Sequence, residues 1–411
     1  MPRRSRLHVP RAPARPGEAP DFSYVRLSAP GAVARPDVGM PAADIENLSV
    51  EMIRVLDDEH RAVGAWNPHL DVDVLQVGLR HMLLTRIFDD RMVRTQRQGK
   101  ISFYMKSTGE EAVAVAAGLA LRPNDMLFPS YRQQGLQFVR GAKLVDLMCQ
   151  LLTNTRDMCK GRQLPVMYHS VPGRLFSISG NLATQFPQAV GWAMAAAIKG
   201  EDDLAASWIG EGSSAEADFH HALLFASVYG APAILNVVNN QWAISTFQGY
   251  AGGEQRSFAA RGPAYGMPGL RVDGNDFLAV YAATAWAAER ARKGAGATLI
   301  ELVTYRAAAH STSDDPTRYR PKEDYERWPL GDPVERLKQH LIAQGEWSEA
   351  RHTALAAELE QQVAAAWSEA TTYGTLTEGP RLDRDLMFED VFKEMPRHLV
   401  EQRERLRLER G

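Results

Sequence analysis

Two short polar segments constrain this chain more than anything else in it. Gly210-Glu211-Gly212 follows the apolar run 204–209, and about thirty residues later Asn239-Asn240-Gln241-Trp242 follows the apolar run 233–238. Such runs suit buried parallel strands. Residues 215–229 read as a helix that stops near Gly230 and Pro232. Strand, turn, helix and strand put both polar segments at the carboxyl ends of adjacent parallel strands, where open α/β sheets bind ligands. Gly210 and Gly212 allow a sharp turn and a close approach to a ligand. Glu211 offers a hard carboxylate and Asn240 an amide oxygen. With a backbone carbonyl near Trp242 and two phosphate oxygens, the pair suits octahedral Mg2+.

The alternation continues along the chain. Runs 126–129 and 298–303 are strand-like, and 110–121, 144–152, 184–199 and 276–293 are helical. This predicts an α/β fold with a doubly wound parallel sheet. Upstream, 47–63 and 71–98 read as helices, the second with Val72, Leu75, Leu79, Leu83 and Phe88 at helical spacing. Downstream, 334–343 and 348–370 read as helices separated at Gly345, and 386–408 as a charged tail with apolar residues at helical spacing. The expected organisation is an extended N-terminal arm over 1–45, an α/β domain over 46–330, and a helical C-terminal region over 331–411 packed on the same domain. Ala189, Ala193 and Ala197 recur every four residues. Such a face serves either packing against the sheet or a subunit interface.

Composition removes several function classes. Of 411 residues, 45% are hydrophobic and 24% charged, an ordinary globular balance. A net charge of −3 lacks the basic excess of a nucleic-acid binder. The longest apolar stretch, 189–198, is too short to span a membrane. Cys149 and Cys159 fit neither zinc nor redox spacing and are expected as reduced thiols in a cytoplasmic protein. The first twenty residues hold five Arg, five Pro and a single acid, Glu18. Pro10, Pro13 and Pro16 interrupt any amphipathic mitochondrial targeting helix. An arm laid over a partner subunit is the expectation for this segment.

The paired segments resemble the thiamine-diphosphate signature, usually written Gly-Asp-Gly followed by Asn-Asn, with Glu211 in place of Asp. Over about residues 70–330 the chain resembles the alpha subunit of heterotetrameric 2-oxo acid dehydrogenases. It looks most like the branched-chain members. Ile101-Ser-Phe-Tyr-Met105 with Gly109-Glu-Glu111, Arg271-Val-Asp-Gly-Asn-Asp276 and Ala309-His-Ser-Thr-Ser-Asp-Asp-Pro316 carry that likeness.

The resemblance implies a site residue by residue. Glu211, Asn240 and the Trp242 carbonyl would hold Mg2+, with Gly210 and Gly212 beside the diphosphate. Tyr131 and Arg132 would bind the diphosphate, the arginine through its two-pronged donor face. Gly180 and Leu182 would lie near the cofactor rings, with Leu182 as the wedge that bends the cofactor. Ser179, Asn181, Thr184 and Gln185 match a monovalent-cation (K+) site of some relatives. His310, whose side chain titrates near neutrality, is the implied catalytic residue in transfer to a lipoyl group. Phe103, Tyr104 and Leu182 would shape an apolar substrate pocket. His220 and His221 read as packing or surface residues, and Glu216 as an interface residue.

Three positions depart from the pattern. Gly180 stands where the family has serine, Val238 where animal branched-chain relatives have arginine, and Pro321 where they have a second modifiable serine. Ser311 matches a phosphorylated serine of those relatives, but no phosphorylation is expected here.

The implied activity is oxidative decarboxylation of branched-chain 2-oxo acids and reductive acylation of the lipoyl group of a transacylase partner. The glutamate that activates thiamine diphosphate belongs to a second domain in this fold family. Only one such domain is legible here, so a separate beta subunit and a tetramer of two alpha and two beta chains are expected. Pyruvate or acetoin as substrate, and a non-catalytic cofactor-binding subunit, stay open as alternatives. The His310 loop is expected to be mobile when empty, its contacts being to the ligand.

Overall fold

The computed structural model describes residues 7–409. Among them, six strands form one parallel sheet: β1 (Met52–Ile53), β2 (Met126–Phe128), β3 (Ala205–Gly210), β4 (Ala233–Asn239), β7 (Gly269–Asp273) and β8 (Thr298–Val303). Their spatial order is β1-β7-β8-β4-β3-β2. A small antiparallel hairpin, β5 (Trp242–Ala243) and β6 (Thr246–Phe247), follows β4. The register sets Gly210 against Val238 and Asn239 against Val303. Glu211, Asn240 and Thr304 therefore leave the sheet side by side.

Side-chain alternation explains the double winding. Ile300 and Leu302 of β8 face one core with Ile234 and Val238 of β4, beneath α1 (Val72–Arg97), α2 (Glu111–Ala120), α8 (Phe277–Arg292) and α9 (Pro333–Ala343). Leu299, Ala233, Leu235 and Val237 face the other, beneath α5 (Gln185–Lys199) and α6 (Ala217–Val228). The crossover from β3 to β4 runs one way and that from β7 to β8 the other, so right-handed connections send α6 and α8 to opposite faces. The short helices α3 (Gln134–Val139), α4 (Leu144–Leu152) and α7 (Arg261–Ala264) fill the loops. Helix α10 (Glu349–Thr372) packs on α1 through Leu83, Leu355 and Leu359, and on α4. The last helix is α11 (Arg397–Leu408). Among the described residues no helix is long and apolar enough to cross a membrane.

Two expected helices need correction. Residues 47–63 are not helical. A 3-10 stretch, Ala42–Ser49, leads into β1, whose Met52 pairs with Arg271. The helical pattern lost to the sheet because Met52, Ile53, Val55 and Leu56 are all buried, a demand that an edge strand meets. Asp276 then stops the strand. One carboxylate oxygen accepts from Val55 N at 2.8 Å and Leu56 N at 2.6 Å, and the other caps α8. The tail has a 3-10 turn over Arg384–Phe388 and is α-helical only from Arg397, because Pro396 disfavours helical backbone in the residue before it. Strands β1 and β7 were missed, being short and set among polar residues.

Residues 7–41 of the N-terminal arm are irregular, and much of that stretch lies on its own chain. Phe22 meets Tyr305 and Trp328 edge-on, with ring centroids 5.7 and 5.2 Å away. The Trp286 and Trp66 indoles donate to the Pro36 and Ala34 carbonyls. Residues 1–6 of the Arg-rich start lie outside the described residues. Of the small-residue face, Ala189 and Ala193 are buried against the sheet and only Ala197 is exposed, so two of the three serve internal packing. Cys149 and Cys159 are free thiols.

Two glycine substitutions should move stability in opposite directions. A Cβ on Gly78 of α1 would lie 2.4 Å from Cζ of Phe277, whose ring is fully buried. Gly78→Ala should cost about 1–3 kcal/mol through overpacking. Gly191 on α5 has open space around its would-be Cβ, so Gly191→Ala should gain up to about 1 kcal/mol of helix propensity. Urea denaturation of the chain alone reads both signs.

Candidate active site

Four neighbouring strands deliver the site. Tyr131 and Arg132 follow β2, Glu211 follows β3, Asn240 follows β4, and Arg306 and His310 follow β8. All leave from the carboxyl edge.

Glu211 is 1% exposed. Its Oε2 accepts from Asn240 N at 3.3 Å, and its Oε1 is buried with no hydrogen-bond partner. Asn240 joins it to a second buried carboxylate, donating from Nδ2 to Glu110 Oε1 at 2.8 Å. Burial pushes both glutamates up to about 7. An orphaned carboxylate oxygen is costly to bury, and a cation is the natural partner for it. Among the described residues no group of three or more His, Cys, Asp or Glu could hold a metal alone. The donor set therefore fits a hard cation completed by a ligand's own oxygens, as Mg2+ with phosphate.

The two glycines act differently from the expected sharp turn. Neither has positive φ, and Gly210 is extended. Gly212 is required by packing, since a Cβ there would lie 2.4 Å from that of Ala243. Beside Gly210 nothing lies within 4 Å of the position a Cβ would take, so the turn keeps an open cradle next to Glu211.

Arg132 is nearly buried and spans the site. Its Nε lies 3.5 Å from Glu110 Oε1, Nη1 donates to the Lys106 carbonyl at 2.5 Å, and Nη2 to the His310 carbonyl at 2.9 Å. The His310 ring lies edge-on to Tyr131 at 6.0 Å. Its Nδ1 is 3.3 Å from Arg132 Nη2 and 3.5 Å from Arg306 Nη1. Guanidinium groups only donate, so Nδ1 accepts and the ring proton sits on Nε2. Burial and those two cations push His310 down to about 3. Asp314 completes the loop, accepting from His310 N at 2.7 Å and from the Tyr319 hydroxyl at 2.6 Å.

The structure thus brings together Tyr131, Arg132, Glu211, Asn240, Trp242 and His310. The Trp242 carbonyl accepts from Arg306 Nη1 at 2.8 Å, which leaves one lone pair for any metal. Gly180 and Leu182 lie on the exposed loop ahead of α5, with no hydrogen bond of theirs to the cluster among the described residues. The Tyr104 ring is buried and its hydroxyl bonds Asp89. His220 is exposed and meets the Tyr265 hydroxyl. Nor are the contacts of the His310 loop reserved for a ligand, since Arg132, Tyr104 and Asp314 already hold it. Sequence reasoning missed Glu110, Arg306, Asp314 and Tyr319 as site residues. The paired acids after Gly109 and the Tyr-Arg step leading into the loop were the available signals.

One consequence is measurable. The His310 value lies below the ordinary 6.5, so the unfolded chain takes up this proton first as pH falls. His310 therefore costs stability progressively from 6.5 toward 3. Ring 15N NMR of the cofactor-free chain should show a neutral Nε2–H tautomer that does not titrate above pH 5. A protonated ring at pH 6 would contradict the geometry.

The family model described as "Dehydrogenase E1 component" matches residues 79–378. Another, "2-oxoisovalerate dehydrogenase E1 alpha subunit N terminal", matches residues 3–43. The chain is 58% identical over 401 residues to a 2-oxoisovalerate dehydrogenase subunit alpha of Pseudomonas aeruginosa, covering 98% of each. It is 37% identical to the mitochondrial 2-oxoisovalerate dehydrogenase subunit alpha of Homo sapiens, covering 87% of this chain and 79% of that one. It is 36% identical to a 3-methyl-2-oxobutanoate dehydrogenase subunit alpha of Mycobacterium tuberculosis, covering 90% of this chain and 97% of that one. With a family model over most of its length and relatives matched nearly end to end, the chain belongs to the dehydrogenase E1 component family, which is thiamine-diphosphate-dependent.

Proposed function

We propose that this chain is the alpha subunit of the decarboxylating component of a branched-chain 2-oxo acid dehydrogenase complex. It acts on 3-methyl-2-oxobutanoate and related acids and passes the acyl group to a lipoyl-bearing transacylase. The observation that carries this reading is the orphaned Oε1 of buried Glu211, set beside Asn240 and the open Gly210 cradle.

Glu211, Asn240 and the free lone pair of the Trp242 carbonyl would hold Mg2+. Arg132 keeps N–H groups beyond those on Lys106 and His310, and with Tyr131 would take diphosphate oxygens. Thiamine diphosphate, when bound, supplies the nucleophilic carbon and the electron sink for decarboxylation. The protein's own contributions are burial, orientation and one directed proton. His310, fixed by two arginines, presents Nε2–H as a donor to a reacting group. It does so neutral, without adding a charge to an already cationic corner.

Both glutamates of the cluster are engaged with Asn240, and none is left to activate the aminopyrimidine ring. A beta subunit would supply that group, in a tetramer of two alpha and two beta chains. Exposed apolar side chains support a covering partner: Leu182 is 47% and Ile244 54% exposed. A K+ site on the loop ahead of α5 has support in Gln185 Oε1, buried without a partner near the Ser179 carbonyl that Gln185 Nε2 bonds. We take residues 46–330 and 331–411 as one folded unit, since α10 shares a core with α1. An extra methyl in an apolar pocket discriminates by only about 1–3 kcal/mol, so pyruvate should be a poor substrate rather than an excluded one.

Co-expression with a beta subunit should give 3-methyl-2-oxobutanoate decarboxylation that the lone chain lacks. Glu211→Ala or Asn240→Ala should abolish it. Full activity from the lone chain would overturn the half-site reading. A second readout needs no turnover. Glu211 is raised from 4.5 to about 7, so its ionisation costs stability as pH rises through that window. Glu211→Gln should therefore raise the melting temperature of the empty chain at pH 8. The same change should erase the thermal shift produced by thiamine diphosphate and Mg2+.

A further inference from the structure

Asp89 of α1 is a carboxylate with 0% exposure, far from any task assigned above. Among the described residues no arginine pairs with it, and nearby Lys106 is bound to Asp90 at 2.5 Å. Burial pushes Asp89 up to about 6. What satisfies it is a single stretch of chain. Its oxygens accept from the Tyr104 hydroxyl at 2.6 Å, Ser107 N at 2.6 Å and Ser107 Oγ at 2.7 Å. Those bonds grip both ends of the segment 104–107.

The His310 loop hangs on that segment. Tyr104 N donates to Thr312 Oγ1 at 3.1 Å, and Thr312 N returns a bond to the Tyr104 carbonyl at 3.0 Å. The Lys106 carbonyl, inside the gripped segment, accepts from the same Arg132 guanidinium that holds the His310 carbonyl at 2.9 Å. Two paths therefore run from the gripped segment to the loop, one to each side of Ser311.

We propose that Asp89 is a positioning residue for the His310 loop, acting through Tyr104 and Ser107 on the segment from which His310 and Thr312 are hung. It touches no reacting atom. Its effect should fall on the step that uses His310. This rests on the reading of His310 as the residue that serves acyl transfer.

The test uses the tetramer with its beta partner, saturated with thiamine diphosphate and Mg2+. Two turnovers are compared: reductive acylation of a lipoyl domain, and decarboxylation with ferricyanide as electron acceptor, which bypasses that transfer. Asp89→Asn and Tyr104→Phe should each slow acylation about tenfold or more while ferricyanide turnover changes far less. The double variant should be no worse than Asp89→Asn alone, because both changes cut the same path. Tyr104→Phe keeps the ring and preserves the test should Asp89→Asn fail to fold. Equal loss in both assays, or loss in neither, overturns the proposal. His310→Ala separates the two readings. If it spares acylation, the His310 reading falls and this proposal with it. If it abolishes acylation while both other variants spare it, this proposal alone falls.

Discussion

Two carboxylates kept out of water at one edge of a sheet govern the chemistry of this molecule. Burial pushes Glu110 and Glu211 each up to about 7, and Asn240 touches both. The parallel register makes that possible by bringing the ends of β3 and β4 level. A slip of one residue would turn Glu211 to the other face. The protein holds costly negative charge where a cationic ligand would repay it, and the open space beside Gly210 lies next to it.

The second layer of the site is cationic. Arg132 and Arg306 enclose His310 and settle its tautomer, while Arg320 ties the carbonyls of Arg306, Ala307 and Ala308. This layer meets the acidic pair directly, with Arg132 Nε 3.5 Å from Glu110 Oε1. A cluster carrying both signs suits a ligand with a phosphate–metal end and a reactive organic end.

Much of this was legible in the sequence, and the gaps have physical causes. Runs 204–209, 233–238 and 298–303 gave their strands because buried parallel strands are continuously apolar. Glu211 and Asn240 were found as chemistry-bearing types next to such runs, Arg132 and His310 only through the family resemblance, and the fold gathers all four at one edge. Met52–Ile53 was misread because two buried residues carry no period of their own; their strand partners Arg271 and Val272, far along the chain, decide their geometry. Arg306 was overlooked because its role needs the hairpin carbonyls of Trp242 and Ile244, which no local pattern reveals. The bond from Tyr104 to Asp89 was overlooked for the same reason: Asp89 sits in a helix otherwise read only for its apolar stripe.

The seating of the arm has a consequence for how the chain matures. Phe22 and Tyr24 rest on Tyr305, Trp328 and Phe247, and the arm carbonyls of Pro36, Val38 and Met40 bond Trp286 and Arg290. During synthesis these early residues leave the ribosome long before their receptors exist. The segment must wait, unpaired, until most of the sheet has been made. Tyr305 directly precedes Arg306, so the arm is among the first parts synthesised and among the last to find its place, beside the strand end that steers His310.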